Sequence, residues 1–411
     1  METITLLDKR RIVLGVTGSI ACYKAVDLAS KLTQAGARVD VIMTDAAQRF
    51  VTPLTFQAVT GRPVYTDLWR AESGGGLPTH IAHIGLAEGA DALAVIPATA
   101  DTLARLAAGS GADLLAVTAL AARCPLIIAP AMDGSMYAHP AVQANKHVLI
   151  ERGAHWIEPE EGRFASGLHG KGRLPETPIL IGAIRRALGR DGALRGQRVI
   201  VTAGGTREAL DPVRYITNRS SGKQGHALAQ AALDAGADVT LITSASLPPP
   251  YGADVVNVGS AAELLDAVLA HAARADVLIM AAAVADFRPQ HPAEHKIKKQ
   301  DDGSGLTIHL TRNPDILAAV AERRAVTQMP RLVVGFAAES RDVEGYAQDK
   351  LRRKGLDLLV ANDISAPDAG FEVDTNRVLI LEARSGAVER LDTMSKTRAA
   401  EAVIAKVTAV L

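Results

Sequence analysis

Two glycine-bearing turns could do chemistry, because each leaves a buried apolar run and opens a helix. Gly15, Gly18 and Ser19 lie in the first, and Thr202–Thr206 forms the second. Unpaired backbone N–H groups and the positive end of a helix dipole at such a junction favour an anion, above all a phosphate. A capping turn without a ligand is the other reading. Cations gather in the second half: the basic run Lys296–Lys299, then Arg312, Lys350 and Lys354, behind a donor-rich stretch Asn218–Gly225. Convergence on a triphosphate would explain them. Solvated lysines are the alternative, since Lys350 and Lys354 are also spaced as one polar helix face.

The elements that must carry these turns repeat along the chain. Arg11–Ile20 reads as a strand entering a turn, Ala25, Leu28, Ala29 and Leu32 share a helical face, and Val39–Met43 is a buried second strand ending at Thr44. The plan recurs from Arg198 to Thr206 and from Asp234 to Thr243, with an insertion, Asp211–Lys223, between strand and helix. Further strands are expected at Ala92–Ile96, Leu126–Ala129, Val277–Met280, Leu332–Val334 and Leu358–Val360. This alternation predicts an α/β chain of two Rossmann-like three-layer domains in tandem with parallel sheets, a flavodoxin-like domain at 1–191 and a second domain at 192–411. Thr44 stands where a dinucleotide site would place an acid for the ribose, which favours a mononucleotide such as FMN over NAD.

Composition excludes whole classes of partner. Lys+Arg and Asp+Glu both count 45 in the 411 residues, so nothing global draws the chain to nucleic acid or an anionic membrane. Aromatic residues are 3%, too few for a stacking platform. Cys22 and Cys124 point to a reducing compartment and cannot alone build a tetrahedral zinc site. No stretch approaches the roughly 20 apolar residues of a membrane helix, and a cytoplasmic protein is expected.

Three more motifs extend the first turn. His83 opens the segment His83–Asp91, which on its own reads as a helix-start histidine; the next strand ends in Pro97–Thr102, and another in Pro130–Met136. With these motifs the chain over residues 10–175 resembles the flavin-dependent decarboxylases of peptidyl-cysteine and phosphopantothenoylcysteine type. The resemblance implies that Gly18, Ser19, Thr44, Thr99 and Asp101 bind FMN and that His83 is the catalytic base. It also implies the chemistry: hydride loss from the thiol-bearing carbon creates a thioaldehyde, the electron sink that lets carbon dioxide leave. Two positions depart from the family. Asp133 stands where asparagine is common, and a cation, Lys171 or Arg173, is expected to bridge it to the substrate carboxylate. Ser166, in the flap Gly162–Arg173, replaces a proton-donating cysteine and would relay a proton from His169 or water, or the reaction would stop at the enethiol.

Residues 196–410 resemble the phosphopantothenate–cysteine ligase domain through Thr202–Glu208, Asn218–Gly225, Ala281–Pro289, Arg312–Asp315 and Gly335–Glu339. By that resemblance the carboxylate of 4′-phosphopantothenate attacks the α-phosphorus of CTP, pyrophosphate leaves, and the cysteine amine captures the acyl-cytidylate, with Mg²⁺ on the triphosphate. Asn218 would hold the intermediate. Ala282, Ala283, Asp286, Lys296, Arg312, Asn313, Pro314 and Phe336 would hold nucleotide, with Phe336 against the base, and Lys350 and Lys354 would neutralise phosphates. Phe287 stands where tyrosine is frequent. Together the halves resemble the bifunctional family of coenzyme A biosynthesis, which implies a trimer-based first half and a dimeric second half. A non-catalytic regulator that binds flavin and nucleotide is the contrasting possibility.

Overall fold

The structure, a computed structural model, describes residues 2–69, 81–163, 167–298, 305–339, 343–363 and 374–411. It divides into two compact units, Met1–Gly189 and Arg190–Leu411.

In the first unit a sheet of six strands runs in the order Val64–Tyr65, Arg38–Met43, Arg11–Val16, Ala92–Ala98, Leu126–Pro130 and His155–Trp156. Every pairing is parallel. The strands are continuous apolar runs because both faces are covered: Val13, Ile42, Leu93, Val95 and Ile128 form one buried cluster. Their neighbours Ile12, Leu14, Val41, Ala94 and Ile127 are buried as well. Strand order reverses between Arg11–Val16 and Ala92–Ala98. This is the Rossmann order, not that of flavodoxin, because the short strand Val64–Tyr65 extends the sheet beyond Arg38–Met43.

The second unit repeats the plan on a larger scale, in the order Asp254–Asn257, Asp238–Thr243, Arg198–Ala203, Val277–Met280, Leu332–Glu339, Leu358–Asp363, Val378–Glu382 and Val388–Arg390. Period-two alternation divides its strands between two cores. Val199, Val201, Ile279 and Val334 meet the helices Lys223–Asp234 and Lys396–Val410 on one face. Ile200, Leu278 and Val333 meet Ala261–Ala272 and Ile316–Thr327 on the other. The expectation of wholly parallel sheets fails at one edge, where Val378–Glu382 pairs antiparallel with both its neighbours. Between Val378–Glu382 and Val388–Arg390 a tight turn with Gly386 at φ +69° returns the chain at once, leaving no room there for a crossover helix.

One buried ion cluster stabilises the floor of the first unit. Asp40, wholly enclosed in its strand, accepts from Arg11 Nε (2.7 Å) and Arg62 Nε (2.6 Å). The other two nitrogens of Arg11 donate to the carbonyls of Glu88 and Gly85 at the end of the helix Ala82–Ala87. Removing one partner of such a cluster strands the others without a counter-charge. Asp40→Ala should therefore lower the unfolding free energy of this unit by about 3–5 kcal/mol, measured by denaturant titration. A loss below about 1 kcal/mol, the scale of a surface pair, would contradict this.

Candidate functional site

Each sheet opens a cleft where its strand order reverses. In the first unit Thr17, buried at the end of its strand, donates from Oγ1 to Pro97 O (2.7 Å) and accepts there from Thr99 N (3.0 Å). One hydroxyl thus fixes the loop after Ala92–Ala98 against the glycine turn. Thr99 then caps the helix Ala100–Ala108 by accepting from Thr102 N. Gly18 is required by space: a Cβ there would sit 2.4 Å from that of Ala46.

The resulting cleft, about 730 Å³, is lined by Gly18, Ser19, Thr44, Trp69, Thr99 and Asp101, among others. All five residues expected to hold FMN are therefore together. At the start of the helix Cys22–Gln34 the turn satisfies several amides itself: Ala21 N donates to Ser19 Oγ (3.2 Å), Cys22 N to Ser19 O and Lys24 N to Ala21 O (both 3.0 Å). Asp101 pairs with Arg105 (2.9 Å), which also meets Asp113 (3.2 Å).

His83 and Asp133 do not line this cleft. His83 is half-buried in the first turn of Ala82–Ala87, the helix whose far end Arg11 holds. Asp133, between the lining residues Met132 and Met136, caps the helix Gly134–Tyr137 by accepting from Ser135 N (3.1 Å) and Ser135 Oγ (2.9 Å). Ser166 lies outside the described residues.

The flap is a hairpin of Glu160–Arg163 and His169–Arg173. Its cations take partners other than the one expected. Lys171 Nζ meets Glu158 (3.0 Å), and Arg173 meets Glu176 (2.7 Å). Glu158 draws Lys171 because it is already the centre of a cluster: Tyr137 Oη donates to it (2.9 Å), and so does Lys146. Burial raises the Glu158 pKa, yet the hydrogen bonds from Lys146, Lys171 and Tyr137 outweigh burial and hold the carboxyl below its ordinary range. Lys24, buried in the first helix, donates to Leu174 O (2.8 Å) and anchors the flap's exit.

Flap and Asp133 turn also meet through the backbone, where Met132 N donates to Gly172 O (3.0 Å). A Cβ on Gly172 would stand 2.2 Å from Met132 O. Gly172→Ala should therefore push the hairpin off this turn and speed exchange of the Met132 amide about tenfold, the worth of one net hydrogen bond. Unchanged exchange would show that the contact tolerates a side chain.

The second cleft, about 900 Å³, uses the same device. Thr202 Oγ1 accepts from Ala282 N and Thr206 Oγ1 from Ala285 N, both at 3.0 Å. These fix the loop after Val277–Met280, and Asn218 Nδ2 donates to Val284 O in it (3.0 Å). Asn313 Nδ2 donates to Ala285 O (2.8 Å) from the ribbon Phe287–Pro289 with Leu310–Arg312. Asn218, Ala282, Ala283, Asp286, Arg312, Asn313, Pro314, Phe336, Lys350 and Lys354 all line the cleft.

One expected cation, Lys296, lies apart from the cleft, and two that line it have protein partners. Lys296 is exposed and does not line the cleft. Its neighbour Ile297 is tied to the insertion, donating to Asp211 Oδ2 (3.1 Å) and accepting from Arg214 (2.7 Å). Lys354 is matched by Asp315, and Lys350 donates to Phe336 O (2.9 Å). Sequence reasoning missed Asn376 and Lys396, which also line the cleft, as do Lys223 and Gln224 of the donor-rich stretch Asn218–Gly225. Asp211 itself is held far below the ordinary carboxylate range by Arg214, against burial, and by the amides of Val213, Ile297 and Arg214. A depressed pKa stabilises above the unfolded value and ceases to do so as pH falls through the folded one. Protection of the Val213 and Ile297 amides, measured as exchange relative to the unstructured rate at each pH, should thus be constant from neutral pH down to the ordinary aspartate range and fall only in stronger acid; a fall near neutrality would refute the tether.

Comparison with known proteins follows the same division. A family described as "Flavoprotein" matches residues 2–189, and one described as "DNA/pantothenate metabolism flavoprotein C-terminal domain" matches residues 194–411. The coenzyme A biosynthesis bifunctional protein CoaBC of Bacillus subtilis strain 168 is 48% identical over 395 residues, 95% of each chain. That of Mycobacterium tuberculosis strain H37Rv is 48% identical over 407 residues, 96% of this chain and 95% of the other. A crystal structure of the C-terminal domain of CoaBC is 38% identical, covering 53% of this chain and 97% of that one, with a TM-score of 0.45. Matched through both units by relatives alike along nearly their whole length, the chain belongs to the family of coenzyme A biosynthesis bifunctional proteins.

Proposed function

We propose that the second unit joins cysteine to 4′-phosphopantothenate with CTP, and that the first unit decarboxylates the product, 4′-phosphopantothenoylcysteine, to 4′-phosphopantetheine. One observation carries this reading: in the first unit all five residues expected to hold FMN, and in the second all those expected to hold nucleotide except Lys296, line a cleft at the strand-order reversal, where open α/β sheets bind ligands.

In the first cleft Gly18 and Ser19, at the positive end of the helix Cys22–Gln34, suit the phosphate of FMN, and Thr44, Thr99 and Asp101 suit its polar edge. The flavin, when bound, supplies the hydride acceptor. His83 takes the substrate's thiol proton, and Arg11 fixes the helix that carries it. Asp133 acts through the turn it caps, which carries Met132 and Met136 to the cleft. Ser166 relays the final proton from His169 or from water.

In the second cleft Phe336 supports the base, while Ala282, Ala283, Asp286 and Asn313 face the sugar and phosphates. Asn218 holds the acyl-cytidylate for the amine. Mg²⁺, when bound with CTP, would neutralise charge on the triphosphate; among the described residues no group of three His, Cys, Asp or Glu could hold a metal. Among the same residues no helix is long and apolar enough to cross a membrane. We place the enzyme in the cytoplasm, which suits its two free cysteines. Exposed apolar side chains at and beside the first turn, Ile20, Tyr23 and Leu54, support contact between copies of the first unit; the second unit is taken as dimeric.

Supplied with phosphopantothenate, cysteine, CTP and Mg²⁺, the His83→Asn chain should release pyrophosphate at the normal rate and accumulate phosphopantothenoylcysteine. Its loss of carbon dioxide should slow by about 10²–10⁴, the range for a general base. Product masses followed over time give both readings, and decarboxylation at the normal rate would remove His83 from the mechanism.

A further inference from the structure

With Lys354 matched by Asp315 and Lys350 on a carbonyl, another arm of the second cleft is the better place for phosphate charge. Lys396 opens the C-terminal helix Lys396–Val410 and is 7% exposed, yet it lines the cleft. Burial first, and then the charge of Lys223, push its amine below the ordinary lysine range, against the pull of Asp374. The Asp374 carboxylate pairs with Lys223 Nζ (2.6 Å), while the Asp374 backbone carbonyl accepts from the backbone amide of Lys396 (2.9 Å). The carboxylate is also 84% exposed, and so a weak counter-charge.

The same arm holds the start of the helix Lys223–Asp234, where Gly222 is the cap residue and the Lys223 amide donates to Ser221 Oγ (3.5 Å). Gln224 ties the parts together, donating to Lys396 O (3.4 Å) and accepting from Asn376 Nδ2 (2.7 Å). Asn376 is 3% exposed, and its Oδ1 has no hydrogen-bond partner among the described residues. A buried acceptor without a donor is costly unless a ligand supplies one. The arm therefore fits a polyanion that also carries hydroxyl groups, as a nucleoside triphosphate does.

We propose that Lys396, assisted by Lys223 and the first turn of its helix, is a catalytic residue of the ligation that holds the β- and γ-phosphates of CTP. The inference rests on the ligase reading above. In the step it serves, a carboxylate oxygen of phosphopantothenate bonds to the α-phosphorus. The bond from that phosphorus to the bridging oxygen breaks, and the electron pair leaves with pyrophosphate. The Lys396 ammonium neutralises that charge as it develops and transfers no proton.

The test compares Lys396→Met with the native full-length chain. Affinity for inorganic pyrophosphate should fall at least about tenfold and kcat for pyrophosphate release about 100-fold. Affinity for CMP and decarboxylation of added phosphopantothenoylcysteine should stay within about twofold, and Lys396→Arg should restore part of the loss. Native pyrophosphate affinity in the methionine variant, or equal loss of CMP and pyrophosphate, would overturn the assignment. Acetylation of the native chain, mapped by mass spectrometry, decides the question even if the variant fails to fold: pyrophosphate must protect Lys396 and CMP must not. A native chain that leaves CTP untouched would sink the ligase reading instead, and the protection experiment would still judge Lys396.

Discussion

A parallel sheet buried on both faces must send its connections alternately over one face or the other, and where the strand order reverses two outgoing loops part and leave a gap. Both units are built around such a gap, beside Arg11–Val16 in one and Arg198–Ala203 in the other. Buried threonines span it: Thr17 in the first unit, Thr202 and Thr206 in the second. Their hydroxyls satisfy backbone groups that the parting strands leave unpaired, and so fix the width of the opening.

Around the first gap, charge clusters position what the sheet cannot. Arg11 links Asp40 in the core to the end of the His83 helix, so a buried ion cluster sets the place of His83, the proposed proton acceptor, at the helix's other end. Glu158 does similar work for the flap, since Lys171 comes from the flap strand and Tyr137 from the helix behind Asp133. Neither cluster needs to touch substrate to matter, because misplacing a reacting group by an ångström costs rate steeply.

Much of this was legible in the sequence, for physical reasons. Doubly buried strands are apolar at every position, so Ala92–Ala98 and Val277–Met280 declare themselves. Turns between strand and helix need small residues, which marked Gly18, Ser19 and Thr202–Thr206. Side-chain pairing was less legible. Lys171 and Arg173 were expected beside Asp133, but the competing carboxylates Glu158 and Glu176 come from neighbouring segments whose approach only the folded chain reveals. Lys296 was drawn toward the nucleotide by its basic run, whereas Asp211 and Arg214 tie its segment to the insertion. Lys396 went unnoticed because it opens an ordinary amphipathic helix, and only packing of that helix beside Lys223–Asp234 brings it to the cleft. The antiparallel edge Val378–Arg390 was likewise hidden, since a short apolar run does not disclose its direction.

The central claim is spatial: two strand-reversal clefts of one chain hold the flavin and the nucleotide for successive steps. Its most direct measurement is a crystal structure with FMN and CTP both added. Flavin density should lie between Ser19, Thr44 and Thr99, and nucleotide density should run from Phe336 to the first turn after Gly222. Either ligand bound elsewhere, with its cleft closed by side chains, would contradict the claim.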